Sequence, residues 1–172
     1  MSNKNENVEN LTSTEGIKKM KKLVEDADIC MFVTQLDQLP LSARPMSSQH
    51  VDESGCIYFF STVSSDKNIH IQKDDRVQLF YSNKNSSEYL SIYGTAVITK
   101  DIIKIKEYWS TMVKAWFPEG PDDPDISLIT VTPLDGYYWD TKHNKYVALF
   151  KIATSIITGK TMDDSVEGEL NV

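Results

Sequence analysis

Arg44, Thr62, Ser64, Ser65 and Lys67 fall in one stretch, LSARPMSSQHVDESGCIYFFSTVSSDK at 41–67. The combination suits a phosphate ester, which is held by several directed donors together with about two positive charges, arginine supplying the bidentate contacts. Only two arginines occur, Arg44 and Arg76, in a chain of net charge −7. A guanidinium near a hydroxyl-rich segment is therefore conspicuous. A hairpin turning near Glu53 and Ser54 is expected to set Arg44 opposite Val63, with Thr62 and Ser64 beside it. A helix starting at Asp66 would add the N–H groups of its first turn, which lack partners inside the helix and favour an anion. The same residues also read as an ordinary helix cap, with Ser64 or Ser65 as the capping hydroxyl, Arg44 paired to a surface carboxylate and Lys67 solvated. Spacing alone leaves both readings open.

Periodicity supplies the elements that must position this cluster. Thr12 and Glu15 form a capping box, and Ile17, Met20, Leu23 and Val24 follow at helical spacing, so a helix is predicted over 14–26. Strands are predicted over 29–36, 41–48, 56–61, 76–81 and 89–98. Both faces of the 89–98 run carry apolar residues, which predicts a central strand buried on both sides. Ile102, Ile105, Tyr108, Trp109, Met112, Val113 and Trp116 predict a helix over 101–116, ended by the loop FPEGPDDPD. Strands over 126–131 and 135–139 are separated at Pro133, and Tyr146 to Ile157 returns to helical spacing before Gly159. Strands succeed one another through tight turns instead of alternating with helices. The expectation is a β-rich α+β domain with an antiparallel sheet closed as a barrel. It would span residues 12–160, between a disordered tail at 1–11 and an acidic tail at 161–172.

Composition narrows the function classes. Apolar residues make up 40% and charged residues 25% of the 172, a globular composition. No apolar run approaches the ~20 residues of a membrane span, and the polar N-terminus MSNKNENVEN lacks a signal core, so a cytoplasmic protein without a membrane partner is expected. The 18 basic residues are scattered among 25 acidic ones, which argues against a nucleic-acid partner. Cys30 and Cys56 lie in separate apolar runs and read as buried thiols, and His50, His70 and His143 are isolated, so no metal site is expected. No Walker loop, GxGxxG or Ser-His-Asp set occurs, and no catalytic residue is assigned.

ARPM at 43–46, FFSTVSSDK at 59–67, EYWSTMVKAWFPEGPDDPD at 107–125 and GYYWD at 136–140 form an ordered set. Over residues 14–160 it resembles the flavin-binding split barrels related to pyridoxamine-phosphate oxidase, and most of all their general stress protein branch. The resemblance implies a six-stranded antiparallel split β-barrel with flanking helices, forming a homodimer with FMN at the subunit interface. By position, Arg44, Ser65 and Lys67 resemble the phosphate ligands. Phe60, Ser61 and Thr62 match the strand beside the ribityl chain and flavin, and Pro45 and Met46 the backbone facing the isoalloxazine ring. Trp116 and Trp139 are candidates to line the site from the partner subunit. The implied function is an FMN-binding, stress-related oxidoreductase using a nicotinamide or small-molecule reductant. A non-catalytic flavin-binding or redox-sensing module is the alternative. Vitamin B6 oxidation and haem or deazaflavin binding rank lower, because the chain has Ser65-Asp66-Lys67 where the oxidases usually show Ser-Arg-Lys, no arginine after Arg76, and no histidine assigned to the pocket.

Overall fold

Eight strands build one antiparallel sheet in the computed structural model, which describes residues 13–141 and 165–170. In chain order they are β1 Ile29–Thr34, β2 Ser42–Ser47, β3 His50–Val51, β4 Ile57–Thr62, β5 Arg76–Asn83, β6 Glu88–Thr99, β7 Ile126–Thr141 and β8 Ser165–Leu170. Helices α1 Ser13–Ala27, α2 Asp66–Lys73 and α3 Ile102–Tyr108 flank the sheet. The strand order is β2-β1-β5-β6-β7-β4-β3, with β8 paired to β7.

The order itself forces curvature. β2 and β3 are its two ends, yet only Ser48 and Gln49 lie between them. The three Cα steps from Ser47 to His50 reach at most roughly 11 Å, so the sheet must curl until its edges nearly meet. The hand-over is visible in two hydrogen bonds: Ser48 N–H donates to Asp28 O, and Gln49 N–H donates to Tyr58 O. Inside the curl, Phe32 of β1 meets Phe59 of β4 edge to face at 5.3 Å, although three strands separate β1 from β4 in the sheet. Further along, β2 stays on β1 while β4 pairs with β7, and the barrel is open between them.

Burial follows from alternation along the strands. Phe32, Phe59, Leu79, Ile92, Ile129 and Val131 fill the interior, and α1 lays Met20, Leu23 and Val24 against it. Each such side chain contributes about 1.5–3 kcal/mol on leaving water. A second cluster forms outside β4 and β7, where Tyr58 and Leu128 pack under Ile105 of α3, and under Val113 and Phe117 of the turn that follows.

Several expectations change. The split barrel and flanking helices are as anticipated, but the described residues form eight strands and not six, because β3 and β8 are short or acidic and carry little apolar signal. The predicted turn at 52–55 does join antiparallel strands, pairing His50 with Tyr58 and Val51 with Ile57. Arg44, however, is not opposite Val63. It lies opposite Phe32, because β2 keeps to its own hairpin with β1. β6 is central but buried on one face only; Tyr89 and Val97 on the other are exposed. The helix predicted over 101–116 stops at Tyr108 and continues as a 3-10 turn, Thr111–Ala115. The two strands predicted around Pro133 are one, β7, with a register shift opposite Tyr93 and Gly94 that accommodates the proline. Part of the acidic C-terminal segment is strand β8, held by pairing Ser165–Leu170 with β7. The helix predicted over 146–157 lies outside the described residues.

Candidate anion site

Ser42, Arg44 and Met46 alternate onto the inner face of β2. Met46 is buried in the core, while Arg44 sits half-buried nearer the open seam. Across the pair, Phe32 faces Arg44 and Thr34 faces Ser42. The guanidinium is held by three bonds: Nη1 donates to Thr34 Oγ1 at 2.9 Å and to Phe32 O at 3.3 Å, and Nη2 donates to Ser42 Oγ at 2.6 Å. Of its five N–H donors, one on Nε and one on Nη2 make no hydrogen bond among the described residues.

Helix α2 follows β4 directly and is tied down twice. The first tie is a buried polar knot. Ser65 Oγ donates to Ser61 Oγ at 2.9 Å, Ser61 Oγ donates to Asn68 Oδ1 at 2.9 Å, Asn68 Nδ2 donates to Ser127 Oγ at 2.9 Å, and Ser127 Oγ donates to Ser61 O at 2.9 Å. Every hydrogen in this ring has an acceptor, as buried polar groups require. The second tie joins His70 Nδ1 to Thr34 Oγ1 at 3.0 Å and fixes the helix to β1. Asn68 and Ile69 turn their N–H groups back to Ser65 O. Among the described residues the N–H groups of Asp66 and Lys67 show no partner, as donors of a first turn commonly do.

These ties place Lys67 within electrostatic reach of Arg44. Burial lowers the proton affinity of the Lys67 ammonium, the like charge of Arg44 lowers it further, and Asp66 partly restores it. Burial also lowers Arg44, with Asp66 opposing. Among the described residues neither cation has an ion pair. Arg76 shows the contrast: its Nε and Nη2 fork onto Asp74 at 2.8 and 2.7 Å. Two half-buried cations within electrostatic reach of each other, neither in an ion pair among the described residues and with Asp66 only partly offsetting them, together with N–H donors at the start of α2, fit a multiply charged oxyanion.

The other expected residues divide. Thr62 is half-buried at the end of β4, where its carbonyl accepts the Ser65 N–H at 3.1 Å. Ser61 and Ser65 commit their hydroxyls to the knot, so neither caps α2. Phe60 faces the second cluster, with its ring 6.1 Å from Trp109. Pro45 is exposed on the outer face opposite Met31, away from Arg44. Trp116 and Trp139 do not join the cluster within one chain: Trp116 is 71% exposed after the 3-10 turn, and Trp139 lies on the outer sheet face beside Tyr137. Thr34, Ser42, Asn68 and His70 were missed as site residues. Pairing 29–34 with 42–47 as a local hairpin would have found Thr34 and Ser42, since it sets two hydroxyls beside the arginine. Nothing local signals His70, because its contact with Thr34 depends on the long-range pairing of β1 with β5, the strand that follows α2.

Cys30 is buried and its thiol is pushed up to about 12 by desolvation, an inert group; Cys56 is only half-buried. Among the described residues no cluster of His, Cys, Asp or Glu is placed to hold a metal ion, and no helix is long and apolar enough to cross a membrane.

Residues 15–163 match the family model described as pyridoxamine 5'-phosphate oxidase like. Protein bli-3 of Neurospora crassa is 27% identical over 129 residues, covering 70% of this chain; the chain spans 62% of that relative's length. A Jannaschia sp. CCS1 structure, described there as a candidate general stress protein 26, superposes with a TM-score of 0.77 at 24% identity, covering 93% of this chain and 99% of that one. This likeness concerns the fold. The general stress FMN/FAD binding protein of Xanthomonas citri matches with a TM-score of 0.62 at 25% identity, covering 73% of this chain and 87% of its own.

Proposed function

The chain belongs to the pyridoxamine 5'-phosphate oxidase like family, and on that premise we propose that it binds FMN, with Arg44 and Lys67 gripping the phosphate. One observation carries this reading: half-buried Arg44 of β2 and half-buried Lys67 at the start of α2 act on each other as like charges, and neither forms an ion pair among the described residues. The Xanthomonas citri structure named for FMN/FAD binding supports a flavin as the group attached to that phosphate. The free Nε–H and Nη2–H of Arg44, the Lys67 ammonium and the N–H groups of Asp66 and Lys67 are the donors. Ser65 acts through the knot that seats the helix, and Thr62 through the backbone that begins it.

A bound flavin supplies two-electron redox chemistry, for which the protein provides orientation and exclusion of water. The chain's own part is to hold the anion and to wall the site. Met31, Phe80, Tyr89 and Trp139 line an open groove of about 570 Å³ on the outer sheet face. An exposed apolar sheet face of this kind supports a second copy packing there. The homodimer would then bring the partner's aromatic residues toward the cofactor.

Purified protein tests the reading directly. Flavin absorption bands and release of a molecule of FMN mass are expected. NADH or NADPH oxidation well above that of free FMN supports an oxidoreductase, and FMN release without turnover supports a flavin-binding module. A protein that neither carries nor takes up flavin contradicts the proposal.

A further inference from the structure

We propose that His70 is a positioning residue for the anion site, setting the Arg44 guanidinium through Thr34; the inference rests on the phosphate reading above. Thr34 is fully buried, with a relative exposure of 0%. Its hydroxyl has one hydrogen to give and two lone pairs to receive. Arginine can only donate, so Thr34 Oγ1 accepts from Arg44 Nη1 at 2.9 Å. Among the described residues the other partner of the hydroxyl is His70 Nδ1 at 3.0 Å, and we assign the hydroxyl hydrogen to it, which requires the ring proton on Nε2. An unbroken chain of donors runs from Arg44 through Thr34 to His70.

The direction of this chain matters. A buried hydroxyl that loses its acceptor turns to find another, since leaving it unmade is costly. Phe32 O and Ser42 Oγ also accept from Arg44, and each keeps a second lone pair. Without His70 the Thr34 hydroxyl turns toward another acceptor, the lone pair it aims at Nη1 turns with it, and the three-point seat that keeps the remaining N–H pair in one orientation loosens. His70 also pins α2, the helix that carries Lys67. One side chain thus sets both cations without being the ligand's own contact.

The test measures FMN and riboflavin dissociation constants for wild type, Arg44→Ala, His70→Ala and His70→Asn. Riboflavin shares the ring system and lacks the phosphate. His70→Ala is expected to weaken FMN about tenfold and riboflavin less than about twofold. His70→Asn places an amide oxygen where Nδ1 accepts, and is expected to keep FMN affinity within about threefold of wild type. In a double-mutant cycle, His70→Ala and Thr34→Val together lose no more FMN affinity than the larger single loss, because the two act in one chain. Unchanged FMN affinity in His70→Ala overturns the proposal. So do equal losses for FMN and riboflavin, additive losses in the cycle, or an Asn variant no better than Ala. If Arg44→Ala fails to separate FMN from riboflavin, the phosphate reading itself falls, and this inference with it.

Discussion

Arg44 lies close enough to Lys67 to lower the proton affinity of its ammonium, and neither side chain has an ion pair among the described residues. The pair occupies the seam where β2 leaves β4 and α2 begins. Like charges held together at partial burial work against the ligand-free fold and in favour of an anion. That trade between stability and binding is common at functional sites.

Lys67→Met tests the trade. The folded chain binds the Lys67 proton less well than the unfolded chain. The resulting cost is present at neutral pH and disappears only as pH rises toward the ordinary lysine value of about 10.4. Removing the charge is expected to leave the ligand-free melting temperature equal or higher while abolishing the thermal shift given by FMN. A ligand-free variant melting several degrees lower would contradict this account.

Asp52→Asn probes the turn that starts β4. Burial pushes the Asp52 carboxyl up, but hydrogen bonds from Ser54, the Tyr58 hydroxyl and the Cys56 N–H more than offset it and hold the pKa low. Its stabilisation is therefore complete above the unfolded carboxylate value of about 3.9 and is lost as pH falls through the lower folded value. Wild type is expected to exceed the variant by at most about 1 kcal/mol at pH 7, because solvent screens a carboxylate that is only partly buried. Urea titrations across pH should show that gap closing below about pH 4; a gap that persists into strong acid would remove the carboxylate from the explanation.

Gly94→Ala addresses the β6–β7 irregularity. A Cβ at this position would lie 2.3 Å from the Thr132 carbonyl oxygen, where pairing shifts register. Backbone on both sides leaves little freedom to yield, so a loss of about 2–3 kcal/mol is expected in denaturant unfolding. A change below about 0.5 kcal/mol would mean that the strands separate there at little cost.

Phe80→Glu examines the outer face. Phe80 is 47% exposed beside Met31, Tyr89 and Trp139, so a charge there should leave the fold intact and oppose association. Sedimentation is expected to give twice the 19.6 kDa chain mass for wild type and a monomer, with weakened FMN binding, for the variant. A monomeric wild type at micromolar concentration would exclude an interfacial site.

The sequence made the two cations of the proposed site conspicuous because arginine is scarce and Lys67 follows a recognisable helix start. The seat of Arg44 was not legible in the same way. The turn at 52–55 was visible and its strands do pair, but extending that pairing back to Arg44 ignored the rival hairpin with β1, which takes all of β2. Tyr89, Tyr93 and Val97 made β6 look buried on both faces; an exposed apolar sheet face carries the same composition as a core. The 3-10 turn after Tyr108 hid Trp116 on a surface, because helical spacing continued in sequence after the helix had ended. His70 meets Thr34 through the pairing of β1 with β5, the strand that follows α2, a relation that no local period encodes.

The most direct measurement compares FMN with riboflavin on wild type, Arg44→Ala and Lys67→Ala by fluorescence titration. Each substitution removes one charge-assisted contact and should weaken FMN by about 1.5–3 kcal/mol while leaving riboflavin nearly unchanged. FMN affinities equal in all three proteins, or losses shared equally by riboflavin, would show that Arg44 and Lys67 do not hold the phosphate.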